Sequence, residues 1–253
     1  MLDVCHLEGK VAPDNQHFCI TRLLCVENTT NRGGGYAWPL EQMARVSQWA
    51  RQHGLKVHLD GARLFNAATA KGYSVKEFAR HVDTISICFS KGLGCPMGSI
   101  LVGDKPTIAK ARRIRKLFGG AMRQAGMMAA AAIYALDHHV ERLHEDHENA
   151  RLFAETIAEI PGIVIEPTRV ESNLVFFDVD DRYGSAAELT TGLLEHKVRM
   201  LPIGPQRIRA CTHLDVDRDD ILSAADALRT VMRNLAVIPK PRAATPAGTY
   251  GGR

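Results

Sequence analysis

His58–Ala68 reads HLDGARLFNAA. An apolar run ends in an aspartate, turns on a glycine and re-enters as a stretch of small and apolar residues. That is the pattern of a strand passing into a helix. Leu55–Asp60 supplies the strand and Gly61–Lys71 the helix. The same alternation extends on both sides. Upstream, Cys19–Val26 is an apolar run of strand length, followed by Glu27-Asn28-Thr29-Thr30-Asn31 and Gly33-Gly34-Gly35. Leu40–His53 then places Leu40, Met43, Val46 and Trp49 at helical spacing, with Gly54 as its stop. Downstream, Ser74–His81 reads as a short helix, and Val82–Phe89 and Ser99–Val102 as apolar strands. Short strands alternating with helices predict crossover units and a mostly parallel sheet covered on both faces.

From Lys105 the pattern changes. Lys105–Leu117, Met122–Leu136 and Val140–Glu159 are helical, with Gly119-Gly120 as the clear break. Strands are expected at Ile163–Glu166, Asn173–Val179, Val198–Ile203 and Arg207–Thr212, and helices at Ala186–His196 and Arg218–Leu235. The division this suggests is an α/β unit over residues 1–139 and a small α/β unit over 140–237, whose helices pack on an antiparallel sheet. Residues 238–253, rich in proline, glycine and alanine, are expected to be disordered.

At 253 residues the chain has room for one large or two small domains. Its 45% apolar and 24% charged residues are the balance of a globular protein, which excludes a disordered or collagen-like chain. The net charge of +4 is too small and dispersed to argue for nucleic acid. The dense basic stretch Lys105–Lys116 reads as the solvated face of a helix. The six cysteines form no CxxC pair and no zinc-ligand spacing, so no metal site is expected. Most sit in apolar runs, where burial is expected, and a reducing compartment follows. Asp3, His6 and Glu8 interrupt any early apolar run, and Gly126–Leu136 is too short to span a bilayer. A cytoplasmic protein without membrane or nucleic-acid partners is the expectation.

Two segments carry chemistry. Asp60 lies at the carboxyl end of a strand, where open parallel sheets bind ligands, and Arg63 follows one turn later. The plainer readings are a helix N-cap for Asp60 and a surface ion pair for Arg63. The second segment is SKGLGCPMGS, Ser90–Ser99, in which a strand delivers Lys91 onto a glycine-rich loop. A lysine held rigidly and partly desolvated there has the amine that Schiff-base chemistry needs; a solvent-exposed loop lysine is the alternative. Neither glycine cluster fits a Walker or dinucleotide fingerprint. An acid and a lysine at neighbouring strand ends is the combination that pyridoxal phosphate requires: the lysine holds the aldehyde, and the carboxylate keeps the pyridine nitrogen protonated. A substrate carboxylate then needs an arginine fork. Arg207 and Arg209 are the candidates, on one face of a strand with Ile208 on the other.

ENTTN, VHLDGARLFNAA, DTISICFSKGLGCPMGS, KLFGGAMRQAG and IRACTHLDV resemble successive signature segments of the low-specificity L-threonine aldolases, from about Asn15 to Val237. These are fold-type I pyridoxal phosphate enzymes. The resemblance implies retro-aldol cleavage of L-threonine or L-allo-threonine to glycine and acetaldehyde. It also implies a large α/β domain, of which residues 1–139 are the C-terminal part, and a small C-terminal α/β domain. Active sites would lie at a dimer interface within a homotetramer. Carried over, it makes Lys91 the Schiff-base lysine and Asp60 the partner of the pyridine nitrogen. Arg63 would lie beside the cofactor's phenolic oxygen or the substrate carboxylate, and Arg209 would be the main carboxylate fork. His17 would lie near the β-hydroxyl, its alternative being a surface loop histidine. Lys116 and Arg123 match basic residues that reach the cofactor phosphate of the neighbouring subunit, and Glu27 and Asn28 match the site floor. Family members carry a further stretch upstream, with a serine/glycine/threonine phosphate cup and a histidine that stacks on the pyridine ring. Met1–Gln16 holds no such pattern, so exposed apolar surface and an open strand edge are expected. The rival readings are another β-hydroxy amino acid aldolase or a β-eliminating lyase and, from a different class, a non-catalytic remnant or partner subunit.

Overall fold

A computed structural model describes residues 2–236; the expected disorder of 238–253 falls outside the described residues. Two four-stranded sheets organise them. The first is built from β1 (Leu23–Glu27), β2 (Lys56–Asp60), β3 (Thr84–Cys88) and β4 (Ser99–Gly103), in that spatial order. β1, β2 and β3 run parallel and β4 is antiparallel to β3. The crossovers are α1 (Leu40–Gln52) and the pair α2 (Leu64–Lys71) and α3 (Val75–Ala79). α1 buries Met43, Val46 and Trp49, the apolar stripe expected from their spacing, and Gly54 follows it at φ +70. These side chains share a core with Val57, Leu59, Leu64, Phe78 and Ile85.

Three helices lead to the second sheet: α4 (Lys105–Leu117), α5 (Gly126–His138) and α6 (Leu143–Ala158). α5 begins four residues later than its composition predicts. Gln124 takes φ +50, a left-handed conformation that cannot continue a helix, and the turn from Gly119 runs on to Ala125. The second sheet contains β5 (Ile163–Val164), β6 (Leu174–Val179), β7 (Leu201–Pro202) and β8 (Arg207–Cys211), ordered β5-β6-β8-β7 and antiparallel throughout. α6, α7 (Ala186–Glu195) and α8 (Arg218–Ala236) pack on it. Phe153, Ile157, Val175, Phe177, Leu189, Ile208 and Leu228 form its core. A capping box closes α7, with Ser185 accepting from the Glu188 N–H.

The parallel sheet is less covered than expected. β4 is exposed along Ser99–Val102, α4 buries no residue, and Leu117, Phe118 and Met127 are largely exposed. With β1 and β4 as the two edges, this agrees with the open edge and apolar surface foreseen from the sequence. The cysteines correct the expectation of burial: Cys95 is buried, whereas Cys5, Cys19, Cys25 and Cys211 are exposed, and none is in a disulfide. Cys25 lies with Leu23 on the exposed face of β1, opposite buried Val26. Among the described residues no helix is long and apolar enough to cross a membrane.

Candidate active site

The parallel strands end together. Glu27 pairs with Asp60, and Asp60 with Ser86, so the carboxyl ends of β1, β2 and β3 share one rim. β3 runs on through Phe89 and Ser90 to Lys91, and the chain then closes on itself. The Gly94 N–H donates to Lys91 O (2.8 Å), the Cys95 N–H to Phe89 O (3.0 Å) and the Phe89 N–H to Gly98 O (3.0 Å). Gly94 sits at φ +70, where glycine alone is unstrained, and a Cβ there would collide with Leu214 Cδ2. His139 Nδ1 lies 2.7 Å from Leu93 O and pins the loop from the end of α5. Lys91 therefore springs from a fixed base. It is itself exposed, not partly desolvated.

Asp60, also exposed, accepts the Ala62 N–H on Oδ1 at 3.0 Å, a local turn bond; it is not the N-cap of α2. Arg63 is the N-cap residue of α2 and donates its backbone N–H to Asn28 O (3.3 Å). Burial lowers its pKa; Arg209 pushes the same way, while Cys211, Glu27 and Asp60 oppose. Two half-buried guanidinium groups that repel each other favour an anion in their company. β8 sorts the two arginine candidates. Arg207 is held by Asp178 through Nε and Nη2, both at 2.9 Å. Arg209 instead reaches across to Asn31 Oδ1 at 2.6 Å. Asn31 is in turn fixed by its N–H donating to Glu27 Oε2 (2.9 Å), so the ENTTN loop aims Arg209.

A cavity of about 360 Å³ brings Arg63 and Lys91 together with Ser90, Asn173, Cys211 and His213. Arg209 borders an adjoining recess that shares Cys211 and His213 with it. Asp60 stands at the neighbouring strand end, outside the lining. His17, Lys116 and Arg123 do not line the cavity either. His17 is in an exposed loop, its N–H on Asn15 Oδ1 (2.9 Å) and its ring beside Gln16. Lys116 and Arg123, in the last turn of α4 and the segment after it, are exposed. Asn28 is fully buried. It takes the Trp38 N–H on Oδ1 (3.2 Å) and donates from Nδ2 to the Tyr73 hydroxyl (3.0 Å), and neither it nor Glu27 lines the cavity. Sequence reasoning missed Asn31 and Asn173, because no local pattern marks a polar residue that works on a distant partner.

The donor set fits pyridoxal phosphate. A primary amine opens onto the cavity, a carboxylate stands at the adjacent strand end, and two guanidinium groups lie nearby. Asn173 Oδ1, buried in the wall, finds no donor among the described residues, which leaves an acceptor for a ligand N–H or O–H.

The fold is that of the fold-type I pyridoxal phosphate enzymes. A solved Leishmania major threonine aldolase superposes with a TM-score of 0.71 at 20% identity, covering 91% of this chain and 67% of that one. A structure of SPT with PLP superposes at 0.65 and 20% identity, covering 87% and 56%. The chain belongs to the beta-eliminating lyase family, which it matches over residues 1–181. It is 41% identical over 216 residues to the low specificity L-threonine aldolase of Escherichia coli strain K12, covering 85% of this chain and 62% of that enzyme. The chain spans about three-fifths of the length of the curated relatives it matches.

Proposed function

We propose that this chain is the lysine-bearing part of a pyridoxal phosphate-dependent aldolase that cleaves L-threonine or L-allo-threonine to glycine and acetaldehyde. The observation that carries the reading is Lys91 on its glycine loop, sharing a cavity with Arg63 beside the strand end of Asp60. Pyridoxal phosphate supplies the electron sink that breaking a Cα–Cβ bond requires. Lys91 Nζ would hold the cofactor through its aldehyde. The Asp60 carboxylate keeps a proton on the pyridine nitrogen. Arg209 would fork the substrate carboxylate, with Arg63 beside it; His17, which lies outside the cavity lining in this chain, would act on the β-hydroxyl proton directly or through a water that it positions. Lys116 and Arg123, both exposed, would reach the cofactor phosphate of a neighbouring subunit in a homo-oligomer, dimer or tetramer. The same reading divides the chain into residues 1–139 of the large domain and 140–237 of the small one, and places the protein in the cytoplasm.

Supplied with pyridoxal phosphate and L-threonine, the chain is expected to release glycine and acetaldehyde in equal amounts. A keto acid with ammonia would replace this reading by β-elimination. No product from a chain that carries the cofactor on Lys91 would make it a non-catalytic relative.

The two arginines of β8 are expected to differ. Arg209→Ala removes charge-assisted hydrogen bonds worth about 1.5–3 kcal/mol, and KM for threonine should rise about 10- to 100-fold. Arg207→Ala breaks only an exposed pair with Asp178 and should leave KM near that of the unaltered protein. Equal effects in steady-state kinetics would remove Arg209 from the carboxylate site.

A further inference from the structure

We propose that Asn66 and His147 form a buried clamp that sets the lysine loop, which makes both of them positioning residues for Lys91. The proposal rests on the role given to Lys91 above. Neither residue touches the cavity, and none of the roles assigned so far uses them. Asn66 lies in the first turn of α2 and His147 at the start of the second turn of α6, 2% and 5% exposed. Asn66 Nδ2 stands 3.2 Å from His147 Nε2. The other end of the same carboxamide faces the residue after Lys91, where a Cβ built on Gly92 would lie 2.6 Å from Asn66 Oδ1. Glycine at 92 is thus required by close approach of the clamp, since its own φ is not left-handed.

As the carboxamide is placed, Nδ2 faces the ring and Oδ1 faces Gly92. An amide N–H₂ only donates, so Nε2 is a bare acceptor and the ring proton sits on Nδ1. Burial keeps the ring neutral, with its pKa pushed down to about 4, and the nearby charges of Arg151 and His144 act in the same direction. A neutral ring with its proton on Nδ1 leaves Nε2 free to accept from the carboxamide whose Oδ1 faces Gly92. The helix turn beneath is itself anchored. Asp146 is fully buried, pairs with Arg142 Nη2 at 2.9 Å and accepts the Thr212 hydroxyl on its backbone carbonyl at 2.6 Å. Thr212 directly follows the strand that carries Arg209, and its carbonyl takes the Asn173 Nδ2 donor at 2.9 Å. One turn of α6 thus touches both the lysine loop's support and the end of the arginine strand. A change in the clamp moves Lys91 relative to Arg209.

The test reads amide exchange in the loop, which needs no cofactor, alongside borohydride trapping of pyridoxal phosphate on Lys91. His147→Leu keeps the volume and removes the acceptor, His147→Gln keeps an acceptor, and Asn66→Ala removes the partner. In His147→Leu and Asn66→Ala, exchange at the bonded amides of Phe89, Gly94 and Cys95 should quicken about tenfold, with β6 and α8 unchanged. Trapping on Lys91 should slow by a similar factor, and His147→Gln should restore both. Unchanged loop exchange in His147→Leu, or equal disturbance by Leu and Gln, overturns the clamp. If His147→Leu does not fold, Asn66→Ala against the unaltered chain decides the matter in the same way. Should the unaltered chain trap no cofactor while the exchange pattern holds, the reading of Lys91 fails and the clamp stands as a support of the loop.

Discussion

Lys91→Ala should leave the protein folded and abolish the covalent capture of pyridoxal phosphate. The Lys91 side chain is exposed and makes no ion pair or hydrogen bond among the described residues. Its removal should change stability by no more than about 0.5 kcal/mol. The loop that carries it is closed by backbone bonds from Gly94, Cys95 and Phe89, which do not involve the side chain. Function is a different matter, because a primary amine is the one group here that can hold an aldehyde covalently and exchange it for another amine. After reduction with borohydride, the pyridoxyl mass should map to the peptide around Lys91 in the unaltered chain and fall to background in the variant. Turnover of threonine should drop by about a thousandfold or more. Lys91→Arg separates charge from chemistry. It restores the cation at the cavity without a primary amine, and it should fail as completely as alanine. Lys71 is the control on specificity, since its ammonium is already engaged by Glu171 at 2.9 Å. Trapping that persists undiminished in Lys91→Ala would place the cofactor elsewhere and sink the assignment.

What could be read from the sequence follows from the range of the interactions involved. α4 spans Lys105–Leu117 as expected because its signals are local: an N-cap at Asp104, a proline in the first turn and basic residues in the last. The two faces of β8 are equally local, since alternation alone buries Ile208 and turns Arg207 and Arg209 to the other side. The site was legible as far as strand ends and glycines mark it, which gave Lys91, Asp60 and Arg63. The choice between the two arginines needed the fold, because it turns on Asp178 holding one and Asn31, 178 positions away, taking the other. The clamp could not be seen at all. Asn66 and His147 are 81 positions apart, each in a helix whose pattern is explained without them. Burial of the cysteines failed for the converse reason, as an apolar run foretells a strand but not whether a neighbour covers it.

The acid stability of the protein should carry the signature of His147. Burial moves its pKa from the usual 6.5 down to about 4, with Arg151 and His144 adding to the effect. Above pH 6.5 the ring is neutral in both the folded and unfolded chain, and its contribution is fully present. As the pH falls from 6.5 to 4, the unfolded chain takes up a proton that the folded chain refuses. Stability is lost across that window, by about 3 kcal/mol at its lower end, and no further loss from this group follows below it. Asp146, one residue earlier, acts in the opposite sense. Its carboxyl is raised by burial against the pull of Arg142, so acid favours its folded form. The two are separated by comparing the unaltered chain with His147→Gln, which keeps Asp146 and removes the titrating ring. Urea unfolding at pH 7.5, 5.5 and 4 should show the unaltered chain losing about 3 kcal/mol more than the variant. Parallel losses in the two would mean that the ring is not held neutral by burial. Where the expected loss appears, protonation of Nε2 removes the acceptor for the Asn66 amide. Exchange at Gly94 and Cys95 should then quicken over the same pH window in the unaltered chain and not in His147→Gln, once the intrinsic pH dependence of exchange is divided out.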